Sequence, residues 1–156
     1  MDIIRDRSTC TLTVSQNGYF RKVLGNFGMD HAKGVQRPFG MYFNLRSVTE
    51  KEVKEHRDKM KLIPYQSDVG KIMYAIVGTR PNLAYAAGLV CRFFMIQSLK
   101  NHWLAVNLIM RYVRETQDVK LVYLSEGEFV VEGYCDADYA GDLDGKRLLS
   151  GMMFTV

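Results

Sequence analysis

No apolar run in the sequence reaches the roughly 18–20 residues that a membrane-spanning helix needs. The longest, Ala84–Ile96, is interrupted by Arg92. The first residues, Met1-Asp2-Ile3-Ile4-Arg5-Asp6-Arg7, lack the apolar core of a signal peptide, so a soluble, non-secreted chain is expected. Cysteine is scarce: Cys10, Cys91 and Cys135 are odd in number, far apart and without a Cys-x-x-Cys pair. That argues against a disulfide framework or a zinc knuckle and makes three small buried apolar side chains the expectation. His31, His56 and His102 are equally scattered, so Cys and His alone cannot build a metal site. With 3 Pro in 156 residues, 47% hydrophobic and 24% charged, the chain is globular in composition, not disordered. It has the length of one domain, and is short for a polymerase or a transporter.

Charge is present but unevenly placed. Residues 1–63 carry 12 basic and 7 acidic side chains, and residues 64–117 carry 6 and 2. Residues 118–156 invert the balance with 3 and 8. A basic body followed by an acidic end is consistent with solvated surface of both signs. It equally fits a body that meets a polyanion and a cluster that holds a divalent cation.

Periodicity predicts a mixed α+β chain. Ile3–Arg7 and Thr9–Val14 read as a β-hairpin. Ser15 is placed to cap a helix carrying Phe20, Val23, Leu24 and Phe27 on one face, with Gly28 at its left-handed C-terminal position. Asp30–Ser47 is irregular, and the charged stretch Thr49–Leu62 reads as a solvated helix or a mobile linker. Three amphipathic helices follow. Ser67–Gly78 carries Val69, Ile72, Met73, Ile76 and Val77. A second, opened by Thr79-Arg80-Pro81, carries Leu83, Ala87, Val90 and Phe94. Asn101–Thr116 carries Val106, Ile109, Met110 and Val113, with Lys100, Asn107, Arg111 and Arg114 on its other face. Short connections make them a small bundle. After Gln117 the period changes to two, giving strands at Val119–Leu124, Phe129–Tyr139 and Gly151–Val156.

The densest chemistry is Asp136-Ala137-Asp138-Tyr139-Ala140-Gly141-Asp142-Leu143-Asp144. Asp136 and Asp138 share one face of a strand that runs through them, and carboxylates there are hard oxygen ligands suited to Mg²⁺ or Mn²⁺. The run is not an EF-hand loop. With Asp136 at position 1, position 5 is Ala140 and position 12, where a bidentate Glu belongs, is Arg147. An acidic turn without an ion is the competing reading.

Several collinear stretches closely resemble the Pol polyprotein of copia-type LTR retrotransposons. They are Tyr65-Gln66-Ser67-Asp68-Val69-Gly70-Lys71-Ile72-Met73-Tyr74, Thr79-Arg80-Pro81-Asn82-Leu83-Ala84-Tyr85-Ala86, His102-Trp103-Leu104-Ala105-Val106 and Arg111-Tyr112-Val113-Arg114-Glu115-Thr116. Gly133-Tyr134-Cys135-Asp136-Ala137-Asp138-Tyr139-Ala140-Gly141-Asp142 resembles it too, as do Leu12-Thr13-Val14-Ser15-Gln16 and Lys22-Val23-Leu24 with Phe27-Gly28-Met29. The resemblance runs over essentially the whole chain and is loosest across Asp30–Leu62.

The resemblance implies three parts: residues 1–63 as the end of the reverse transcriptase palm and a linker, 64–117 as the helical thumb, and 118–156 as the opening strands of a truncated ribonuclease H domain. It makes Asp136 the first of four acids that bind two Mg²⁺ ions, and Lys71, Arg80, Arg92, Arg111 and Arg114 thumb cations that track a nucleic-acid backbone. The polymerase Asp-Asp motif and the other three acids have no counterpart in the sequence, and Leu148 and Leu149 stand where Ser and Thr are usual. The expectation is a retrotransposon-derived fragment without catalysis of its own, holding no metal productively. Weak, sequence-blind contact with nucleic acid and no membrane contact are expected of it. The alternatives are a piece of an intact element acting in RNA-directed DNA synthesis and RNA-strand hydrolysis, or a domesticated protein-interaction module. The family's reverse transcription is cytoplasmic; the sequence itself gives no compartment.

Overall fold

The structure is a computed structural model. It describes residues 1–39, 45–47, 49, 51, 52, 54, 63–92, 100–124, 130–138 and 148–155. Strands β1 (Asp2–Asp6) and β2 (Thr11–Ser15) form the expected hairpin. Its turn carries Cys10 at φ 50°, a left-handed conformation for a non-glycine residue. Helices α1 (Asn17–Asn26), α2 (Tyr65–Thr79), α3 (Ala84–Cys91) and α4 (Lys100–Glu115) follow, with a 3₁₀ turn over Pro81–Leu83. Strand β3 (Leu121–Leu124) returns to pair antiparallel with β2, giving the order β1-β2-β3. Strands β4 (Glu132–Asp138) and β5 (Leu149–Thr155) make a separate antiparallel pair. The mixed α+β class is therefore present. No described helix is long and apolar enough to cross a membrane.

One core serves all four helices. Phe20, Val23 and Leu24 of α1 pack with Val69 and Ile72 of α2, with Ala86, Ala87 and Val90 of α3, and with Val106, Ile109, Met110 and Val113 of α4. Leu83 of the 3₁₀ turn is fully buried among them. Trp103 and Tyr112 are partly buried against this core, and the Phe27 and Trp103 rings stack at 6.3 Å. Gly28 closes α1 at φ 62°, as the sequence predicts. Phe94 lies outside the described residues, as do most of Thr49–Leu62 and the Gly127 turn. At the start of that charged stretch, Glu52 accepts both the Thr49 N–H and its hydroxyl, a capping box that also engages Arg46.

Three expectations need correction. Ser15 does not cap α1: it ends β2, and the cap position falls to Gln16, whose side chain makes no cap bond. Gln16 is instead buried against α2, where the Thr79 hydroxyl donates to its Oε1 at 2.9 Å. Gly78 makes room for it, because a Cβ there would come within 2.5 Å of the Gln16 amide. Second, the buried stripe of α2 is rotated from the apolar one. It runs through Tyr65, Asp68, Val69, Ile72, Ala75 and Thr79, while Met73 and Val77 face solvent. Third, Cys10 and Cys135 are exposed and Cys91 is half-buried, all as free thiols. Cys10 sits at a hairpin tip and Cys135 on a two-stranded sheet, both away from the described core.

Candidate nucleic-acid interface

Each predicted cation has a definite place. Lys71 lies on α2 one turn after the buried Asp68 and pairs with its Oδ1 at 3.0 Å, with its Nζ 4.9 Å from the centre of the Phe27 ring. Burial pushes the Asp68 carboxyl above its ordinary range, and the Lys71 ammonium opposes that shift without cancelling it. Among the described residues the Asp68 Oδ2 has no partner.

Arg80 is not at the surface. It is fully buried where α2 ends, between the Phe20 and Tyr112 rings at 5.5 and 5.7 Å. Its Nη1 donates to the Thr116 carbonyl at 2.8 Å, its Nη2 donates to the Thr116 hydroxyl, and its Nε donates to Asn82 Oδ1 at 3.3 Å. Burial lowers its pKa, and the adjacent Tyr112 works against that. In this conformation the guanidinium ties the end of α4 to the α2–α3 corner, and no phosphate can reach it. The signal for this was local: an Arg directly before Pro81, in a corner where backbone carbonyls need donors.

Arg111 and Arg114 sit one turn apart on α4, half-buried, and reach across to the segment after α1. Arg111 Nε donates to the Lys33 carbonyl at 2.6 Å and Arg114 Nε to the Asp30 carbonyl at 3.2 Å. Arg114 Nη1 also stands 4.0 Å from Glu115. Arg92 follows α3 and is half-buried. The five residues thus do not converge on one patch. Arg80 is enclosed, Arg111 and Arg114 are tied to the backbone of Lys33 and Asp30, and Lys71 to Asp68.

Asp136 is exposed on β4, opposite Gly151 of β5. The pleat places Glu132, Tyr134 and Asp136 on one face, with Asp138 next along the strand. Among the described residues no three His, Cys, Asp or Glu side chains come together as a metal site. Asp142 and Asp144 lie outside the described residues.

The sequence reading missed the aromatic side chains between α1 and α2. Tyr19 donates through its hydroxyl to the Lys71 carbonyl at 3.2 Å, and its ring lies 5.0 Å from that of Tyr74. Tyr74 is 58% exposed. The available signal was the rotation of the α2 stripe: once Asp68 and Thr79 are taken as buried, Tyr74 must turn outward.

Fold and surface together define a small α+β unit with a helical body, basic over its first two-thirds, and an acidic sheet. The comparisons with known proteins say what kind. The chain is 39% identical over 155 residues, 99% of its length, to the retrovirus-related Pol polyprotein from transposon TNT 1-94 of Nicotiana tabacum. It is 42% identical over 95 residues, 61% of its length, to secreted RxLR effector protein 161 of Plasmopara viticola. It is 29% identical over 140 residues to an uncharacterized mitochondrial protein of Arabidopsis thaliana. The chain spans 12% of the tobacco polyprotein, 66% of the effector and 55% of the mitochondrial protein. No family model and no solved structure matches it. Its homologues include Pol polyproteins of copia-type retrotransposons, and the chain is similar to a segment of them.

Proposed function

We propose that this chain is a retroelement-derived segment from the reverse transcriptase and ribonuclease H region of a copia-type Pol polyprotein. In isolation it is catalytically silent, and its helical body retains weak contact with nucleic acid. The observation that carries this reading is the collinear 39% identity to the tobacco Pol polyprotein over 99% of the chain. Supporting it are the motifs along α2, α3 and α4, and a helical body in which basic side chains outnumber acidic ones.

In this reading the palm's last hairpin is β1–β2, the thumb is α2–α4, and β4–β5 opens the ribonuclease H sheet. Lys71, Arg92, Arg111 and Arg114 supply positive charge around the body, while Arg80 holds it together. Asp136 would be one ligand of a Mg²⁺ pair whose remaining acids this chain does not provide. In a complete site that pair would activate water and stabilise the leaving oxygen.

Two measurements test the reading. A filter-binding titration against single-stranded and duplex nucleic acid should show weak binding that falls steeply between low and moderate salt, because released counterions drive it. Binding unchanged by salt, or no binding at all, overturns the nucleic-acid part. Incubation of an RNA/DNA hybrid with Mg²⁺ or Mn²⁺ should give the same background cleavage for the native chain and for Asp136→Asn. Cleavage abolished by that substitution would show a working ribonuclease H site.

A further inference from the structure

We infer that the seam between α1 and α2 is a binding surface for single-stranded nucleic acid, in which Tyr74 stacks on a base and Lys22 and Lys71 meet the flanking phosphates. This rests on the nucleic-acid reading above and deepens it, since none of the expected backbone-tracking residues except Lys71 lies on this seam.

The two helices run antiparallel along it. Gln16 lies against Gly78, Tyr19 against Tyr74, and Phe27 against Lys71 Nζ. That register puts Lys22, one turn after Tyr19, beside the turn of α2 that holds Lys71. Lys22 is exposed. Tyr19 is fixed by its bond to the Lys71 carbonyl and backs the outer ring. Tyr74 leans on it with its ring plane tilted 57°, and more than half its surface open. Next to it along α2, Val77 is 89% exposed, and a Cβ at Gly70 would meet nothing within 4 Å, so the approach to the ring is clear.

Charge selects the occupant. Helices α1 and α2 carry Arg21, Lys22 and Lys71 against one acid, Asp68, which is buried and already paired with Lys71. Among the described residues, Asp118 and Asp30 meet α1 at its ends, the first bonded to Asn17 and the second facing Gly25. An open aromatic face beside the exposed Lys22, with Lys71 held by Asp68 at its edge, suits a ligand with both a π-surface and a regular negative charge. An unpaired nucleic-acid strand offers both, whereas a duplex keeps its bases stacked away from the ring.

The test is fluorescence anisotropy of the full chain with a fluorescein-labelled oligothymidylate of about 15 nucleotides, long enough to span such a groove. Tyr74→Ser should weaken binding roughly ten-fold with the salt slope unchanged, and Tyr74→Phe should restore it, since the ring and not the hydroxyl does the stacking. Lys22→Gln should lower the salt slope by about 0.7, the loss of one phosphate contact on a single strand. Tyr85→Ser removes an equally exposed tyrosine from α3 and should change nothing. Circular dichroism of each variant separates lost binding from lost fold. Native-strength binding by Tyr74→Ser and Lys22→Gln, or equal affinity for duplex, overturns the seam and leaves the broader reading standing. Native protein that binds no nucleic acid overturns both.

Discussion

The helical body and the two sheets answer the same problem differently. Helices α1–α4 bury their apolar stripes in one another, and the core consists of their side chains with Leu45 and Leu83. No described strand side chain belongs to that core. In the β1-β2-β3 sheet, Ile3, Val14 and Leu121 stand side by side on one face, with Arg5, Leu12 and Tyr123 two residues along. Ile4 and Val122 on the other face are more than half exposed. The β4–β5 pair is more open still, with Met152, Met153 and Phe154 exposed. A sheet of two or three strands without a layer against it gains little from burial. Stability in this chain therefore belongs to the helices, and the sheets depend on hydrogen bonds and cross-strand pairs.

The sharpest way to break that contrast is a cavity in the body. Ile109 is fully buried at the centre of α4. Ile109→Ala should cost about 2–5 kcal/mol in urea unfolding, the range for a deleted core side chain with its cavity. A loss under about 1 kcal/mol would mean that the helical core is loose and that the contrast is one of shape alone.

The second effect is polar. Replacing Arg80 with Met keeps the bulk but strands the Thr116 carbonyl and removes one of two partners of its hydroxyl, and should cost about 1–3 kcal/mol. Arg80→Lys should not recover it, because one ammonium cannot hold Thr116 and Asn82 together while lying flat between two rings. Full rescue by Lys would show that charge, and not the planar fork, joins the end of α4 to the corner.

Asp68 gives a smaller, pH-dependent effect within the body. Its carboxyl is raised above the ordinary 3.8, so the folded chain holds a proton that the unfolded chain has released. Stability should therefore fall as pH rises from 3.8 through the raised folded value, and stay low above it. Asp68→Asn should flatten that slope. Glu52 works in a separate window with the opposite sign. Thr49 and Arg46 pull its pKa from 4.5 to about 2, so its contribution is present above 4.5 and lost as pH falls towards 2. A slope above pH 4.5 that survives in Asp68→Asn would show that another group carries it.

Much of this was legible in the sequence where periodicity and packing agree. The stripe of Val106, Ile109, Met110 and Val113 predicts α4 because all four are apolar and all four are buried. It fails for α2 because burial there follows hydrogen bonding as well as hydrophobicity. Asp68 and Thr79 go inward with partners, on Lys71 and Gln16, that lie three residues and 63 residues away. Arg80 misleads for the same reason, since an isolated basic residue looks like surface until the Thr116 carbonyl that receives it is known. Asp136 is recognisable as a carboxylate on a strand, but a metal site is a property of several strands brought together, which no single stretch of sequence displays.

The smallest effect is expected in the sheets, and its smallness is the informative part. Phe154 is 70% exposed and lies against Gly133 across the β4–β5 pair, where a Cβ would come within 3.0 Å of its ring. The ring covers a bare stretch of backbone but is not itself covered. Phe154→Ser should then change the unfolding free energy by no more than about 0.5 kcal/mol, as for a surface position. Amide exchange should agree, with β4 and β5 opening at a lower free energy than α4, because solvated strand bonds are released without disturbing a core. A cost near that of Ile109→Ala would mean that the Phe154 face is packed in solution, and the division between a self-sufficient body and dependent sheets would no longer hold.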